Sequence, residues 1–113
     1  DSCYSPAIIG QIDNDATIVV FPNTPFSTSI IAKTGCNQTK ITKFSSDMLP
    51  LGVTSTSSVI RQNASIYSMI FTWTPTVDQI GTTQLYCTIA NDDSNKQSTQ
   101  YCLNFVVTEK IGE

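Results

Sequence analysis

Four cysteines and two asparagines are the residues of this sequence whose types and spacing suit a definite chemistry. Cys3, Cys36, Cys87 and Cys102 are even in number and widely spaced, with no C-x-x-C pair and, in a chain without histidine, no ligand set for zinc. Disulfide formation fits that spacing, and buried free thiols are the bland alternative. Asn37-Gln38-Thr39 and Asn63-Ala64-Ser65 are N-x-[S/T] acceptors, which makes Asn37 and Asn63 candidate sites for N-linked sugar. Asn23-Thr24-Pro25 fails, because proline stands where the hydroxyl is required. Cysteines and sequons together point to an extracellular chain, secreted or displayed at a cell surface.

Other chemistries find little support. The absence of histidine removes the usual general base, and neither G-x-S-x-G nor a serine-lysine pair is present, so no enzyme is expected. Asp92-Asp93 could in principle flank a glycosidic bond, yet adjacent acids in a turn normally solvate the loop. Calcium needs six to eight oxygens; Asp13-Asn14-Asp15 and Asn91 to Asn95 are oxygen-rich, but Asp and Asn are also the best turn formers, so no metal and no cofactor is expected. Exposed aromatics would mark a sugar site. Of Tyr4, Tyr86 and Tyr101, only Tyr4 lacks an evident packing role.

The totals narrow the class further. The chain has 113 residues, enough for one domain, and folding would bury roughly two thirds of the surface of the extended chain. An apolar content of 40% against 13% charged residues is that of a globular protein rather than a disordered one. Six Lys+Arg within a net charge of -3 provide no cationic cluster for phosphates, so nucleic acid is not an expected partner. No stretch is long and apolar enough for a transmembrane helix, and the fragment starts like a mature chain or an excised module.

The elements that must position these groups are strands. β-branched residues recur in short runs broken by Pro, Gly, Asn and Asp, and helical periodicity is nearly absent. Strands are expected at 7–11, 17–21, 26–33, 40–44, 53–60, 65–74, 83–91 and 99–108. Residues 45–52 read as irregular or as one short helical turn, and Gln62-Asn63-Ala64 as a turn. In 65–74, Tyr67, Met69, Phe71 and Trp73 share a face, so Trp73 continues a buried stripe. In 99–108, Tyr101, Leu103, Phe105 and Val107 do the same. Pro75 takes the chain out of its sheet, and Gly81 permits the backbone angle for re-entry. Seven or eight strands with turn signals between them predict an all-β, antiparallel sandwich of two sheets.

Phe71-x-Trp73-x-Pro75, Gly81, Tyr86-x-Thr88-x-Ala90-x-Asp92 and Phe105-x-Val107 together resemble the second half of immunoglobulin-like extracellular repeat modules, of the cadherin-like and hyalin-repeat groups. The resemblance covers 65–108. It implies one immunoglobulin-like β-sandwich over 1–113, a piece of a larger extracellular protein, with a non-catalytic role in adhesion, recognition or spacing. Partners would then be extracellular proteins or neighbouring modules of the same chain; a lectin-like, carbohydrate-binding module is the alternative. The Cys36, Trp73, Cys87 order is that of antibody domains, but the intervals differ.

Hairpin register separates two disulfide patterns. If Cys87 faces Cys102, then Tyr86 faces Leu103, Thr88 faces Tyr101, and Ala90 of the A-x-D pattern turns inward, leaving Cys3 with Cys36. A one-residue shift turns Cys87 inward toward Cys36 and leaves Cys3 with Cys102. The first register is preferred because it buries the alanine.

Overall fold

The computed structural model describes residues 4–35, 39–50, 52–53 and 59–109. Two four-stranded sheets face each other. The first contains β1 (Ala7–Gly10), β3 (Phe26–Lys33), β6 (Ile66–Trp73) and β5 (Ile60–Arg61), in that order. The second has the order β2 (Ala16–Val20), β8 (Tyr101–Val107), β7 (Thr83–Asp92), β4 (Ile41–Met48). Among the described residues the strand pairings are antiparallel except β2 with β8, which run parallel.

That parallel pair arises because the chain does not make a hairpin after β1 but switches sheets. Asp15 takes a left-handed backbone (φ 66°), its N–H donates to the Cys102 carbonyl at 2.7 Å, and Asn14 Oδ1 accepts the Cys102 N–H at 2.8 Å. The Tyr101 hydroxyl donates to the Ile12 carbonyl at 2.6 Å, fastening the crossing to the second sheet. Gly10 is required there, since a Cβ would collide with the Tyr101 phenol.

Alternation along the strands decides what is buried. Met69, Phe71 and Trp73 of β6 meet Tyr101, Leu103, Phe105 and Val107 of β8 in the core, together with Ile30 and Tyr86, while Tyr67 packs in a second cluster with Ala32, Ile41 and Ala90. Phe71 stacks on Tyr86 with centroids 4.2 Å apart, and Trp73 and Phe26 meet Phe105 edge-on at 5.3 and 5.1 Å. Such offset and T-shaped pairs add about 0.5–1.5 kcal/mol each beyond the burial itself. Trp73 therefore holds the two sheets together and lines no open surface.

Three elements depart from the sequence expectation. Ser45 to Met48 continue β4 instead of leaving the sheet, because Ser45 pairs with Ile89 and Ser46 with Thr88 across to β7. Irregularities between Ile41 and Lys43 and between Ser46 and Met48 bend this edge strand. Of the segment 53–60, Val53 lies in a turn with its N–H on the Pro50 carbonyl, 54–58 lie outside the described residues, and the strand there is the short β5. The link after Pro75 contains a single 3₁₀ turn, Val77–Gln79. Gly81 (φ 87°) then returns the chain to the sheet, donating its N–H to the Val107 carbonyl. Among the described residues, no helix is long and apolar enough to cross a membrane.

Candidate functional site

Cys87 lies directly opposite Cys102 and is bonded to it, with Cα atoms 4.1 Å apart. The register that brings them together also sets Tyr86 against Leu103 and Thr88 against Tyr101, with Thr88 and Ala90 buried beneath the larger side chains. The bond therefore sits on the face of the second sheet turned away from the core, and the flanking strands still leave Cys87 buried. Cys3, Cys36 and Asn37 lie outside the described residues.

Asn63 is exposed in the turn between β5 and β6. Its Oδ1 accepts the N–H of Ser65 at 2.9 Å and of Ile66 at 3.0 Å, and the Ser65 hydroxyl lies 3.5 Å away. An asparagine that closes its own turn in this way fixes the plane of its amide.

The aromatic candidates separate by burial. Tyr86 and Tyr101 are core residues, whereas Tyr4 is 74% exposed. Burial pushes the Tyr86 phenol above its ordinary value, against the pull of the neighbouring Ser46 and Thr88 hydroxyls. Burial likewise raises Tyr101, helped by the proximity of Tyr86 and Asp13.

The two oxygen-rich turns do different work. Residues 13–15 tie β2 to β8 through the hydrogen bonds described above. Asp92, expected to solvate its loop, is instead buried. Its Oδ1 accepts the Ser94 N–H at 2.9 Å, the Ser94 hydroxyl at 2.9 Å and the Lys96 N–H at 2.8 Å. Burial alone would raise this carboxyl, but the donors of Lys96 and Ser94 and the Lys96 charge hold it below the ordinary carboxylate value. The A-x-D spacing carried the signal, since Ala90 and Asp92 must share a face. Among the described residues, no group of three or more His, Cys, Asp or Glu is arranged to hold a metal ion.

Two surface features were not evident from the sequence. The first is a row of isoleucines across the outer face of the first sheet: Ile9 pairs with Ile31, Ile31 with Ser68, and Ser68 with Ile60, while Ile70 lies two residues along from Ser68. Ile9, Ile60 and Ile70 are 50%, 47% and 41% exposed. Only pairing across four strands assembles them, so no local pattern could have revealed the row.

The second is an open cleft of about 350 Å³ beside the 3₁₀ turn, lined by Gly52, Thr76, Asp78, Gln79, Thr82 and Gln84. Its polar groups are linked to one another. The Gln84 amide donates to the Thr82 hydroxyl at 2.9 Å, that hydroxyl donates to the Gln79 carbonyl at 2.6 Å, and Gln79 Oε1 accepts the Thr76 N–H at 2.9 Å. Because these amides and hydroxyls bond one another, the surface they leave to the cleft is mostly apolar, with few polar groups and no nucleophile paired with a base.

No protein-family model and no curated protein matches the sequence. Solved structures do. The chain is similar to the GspB Siglec domain at 13% identity and a TM-score of 0.68, covering 97% of this chain and 61% of that one, so it spans less than two thirds of that structure. It is similar to the BIgI domain of beta protein from S. agalactiae bound to CEACAM1, at 15% identity and a TM-score of 0.52, covering 92% of this chain and 99% of the other. The sialic acid binding region of a Streptococcus sanguinis SK1 adhesin is a third, at 8% identity and a TM-score of 0.53, covering 94% of this chain and 29% of that one. Identities this low speak to architecture alone. With two packed four-stranded sheets and the first two strands assigned to opposite sheets, the chain has an immunoglobulin-like β-sandwich fold.

Proposed function

We propose that this chain is a non-catalytic extracellular recognition module that binds a protein partner through the outer face of its first sheet. The observation that carries the reading is the solvent-facing isoleucine group on that face, Ile9, Ile31 and Ile70, with Ile60 beyond Ser68, because clustered apolar side chains on a small domain suit a contact surface. The similar domain solved bound to CEACAM1 supports a binding role for this architecture. The Cys87 to Cys102 bond supports an oxidising compartment, and a histidine-free sequence supports the absence of catalysis. The module belongs to a larger protein in which 1–113 is one unit of an array. Its finer kinship to cadherin-like or hyalin-repeat modules rests on Gly81 and the Ala90-x-Asp92 spacing.

A second reading is favoured by one observation, the open cleft lined by Thr76, Gln79, Thr82 and Gln84, whose mostly apolar surface with a few amides and hydroxyls at hand suits one face of a sugar ring. The similar adhesin region described as sialic acid binding lends it support. Probing an array of extracellular ectodomains and an array of glycans with the secreted protein separates the two. Binding to an ectodomain that is lost in Ile9→Lys/Ile70→Lys and kept in Gln84→Ala is the expected result. Binding to glycans alone, lost in Gln84→Ala and kept in the isoleucine double variant, overturns the first reading in favour of the second.

A further inference from the structure

We infer that Asn63 is a modification site that carries an N-linked oligosaccharide, because the β5–β6 turn presents the amide nitrogen of an N-x-S acceptor to solvent while using only its oxygen for folding. The inference takes its compartment from the extracellular reading above and adds to it a covalent group.

The geometry of the turn divides the side-chain amide into two halves with separate tasks. Oδ1 is committed to the protein, accepting from Ser65 N–H and Ile66 N–H. Nδ2, the atom that would bond the sugar, has no hydrogen-bond partner among the described residues. Other asparagines spend that nitrogen on the fold: Asn91 Nδ2 donates to the Ser45 hydroxyl at 2.8 Å and Asn104 Nδ2 to the Asp15 carbonyl at 3.2 Å. Arg61, Gln62, Asn63 and Ala64 are all exposed, so the tip of this hairpin leaves room for a bulky group. The third residue of the acceptor, Ser65, keeps its hydroxyl within reach of the same amide.

The reaction is a glycosyl transfer from a lipid-linked oligosaccharide pyrophosphate. The Asn63 Nδ2–C1 bond forms while the bond from C1 to the pyrophosphate oxygen breaks. The lipid pyrophosphate leaves with the electron pair of that bond, and the amide proton goes to a base of the transferase. Sugar attached here stands beside β5, whose outer side has no strand neighbour among the described residues, and it would hinder strand addition at that edge.

The turn also supplies a clean variant. Ser65→Ala removes the acceptor hydroxyl but leaves both backbone N–H bonds to Asn63 Oδ1, so it folds as the parent does; Asn63→Gln would disturb those bonds. The test is the full-length gene product secreted from a eukaryotic cell, digested and treated with a peptide N-glycanase, with the peptide containing residue 63 followed by mass spectrometry. Asn63 is expected to convert to aspartate on deglycosylation in the parent and in Ser65→Thr, and to be bare in Ser65→Ala. A secreted parent with unmodified Asn63, or a Ser65→Ala protein still glycosylated there, overturns the inference. Either result leaves the recognition reading standing, because that reading is decided by ectodomain binding.

Discussion

The two ends of the core are built from different materials. Around Trp73 and Phe105 the sheets are joined by five aromatic rings, those of Phe26, Phe71, Trp73, Tyr86 and Phe105. Around Tyr67 the buried apolar residues are Ala32, Ile41 and Ala90, and the adjoining loop is closed by polar groups. There Ser98 takes the Ala90 N–H on its hydroxyl at 2.8 Å, and Asp92 gathers the donors of Ser94 and Lys96. Dispersion and hydrophobic burial are non-directional, so the aromatic end contributes most of the stability. Hydrogen bonds are directional and nearly balanced by those to water, so the polar end contributes shape more than free energy.

The largest expected effect lies at the aromatic end. Trp73→Ala removes a fully buried ring that touches both sheets and should cost about 3–5 kcal/mol, lowering the denaturant midpoint while leaving the secondary-structure signal of any folded fraction intact. A loss below that of the polar-end variants would break the comparison. At the other end, Asp92→Ala should cost about 1–3 kcal/mol, and hydrogen exchange should show lost protection confined to the amides of Ser94 and Lys96. Asp92 also has a pH signature. Because its folded value is depressed, its contribution is present above the ordinary carboxylate value of 3.8 and is lost as pH falls through the lower folded value. Asp92→Asn should therefore flatten the acid limb of a melting-temperature profile; an unchanged limb would show that the carboxylate does not organise the loop.

The smallest effect is expected where the sheets are bridged by Tyr101. Tyr101→Phe removes one hydrogen bond, to the Ile12 carbonyl, and should cost about 1 kcal/mol in thermal or denaturant unfolding. Tyr86 and Tyr101 both have phenols raised above 10.0, so their contribution is full below that value and falls as pH rises through the folded values. Melting temperature should decline on the alkaline side, less steeply in Tyr101→Phe. Equal slopes would assign the alkaline loss to other groups.

Much of this division was legible in the residues. Alternation in β6 and β8 identified Tyr67, Met69, Phe71 and Trp73, and Tyr101, Leu103, Phe105 and Val107, as inward faces, because side chains on a strand alternate whatever the partner strand is. Two registers of the last hairpin were open in the sequence, and the burial of Ala90 favoured the one that sets Tyr86 opposite Leu103. The candidate site was far less legible. Asp92 looked like a solvated turn residue, since local composition does not report whether a neighbouring loop supplies donors. The cleft beside Gln79 and the isoleucine row combine positions distant in sequence.

By itself, the sequence determined the β class and the buried faces, which follow from alternation within one strand, and it narrowed the last hairpin to two registers. Tertiary structure alone decided that the chain crosses between sheets after Gly10, that β2 lies parallel to β8, that β4 runs on to Met48, and that isoleucines from four strands share one outer surface. The physical reason is that strand faces are set by local alternation, whereas the identity of each neighbouring strand is set by backbone hydrogen bonds between residues far apart in the chain, to which a local pattern is blind.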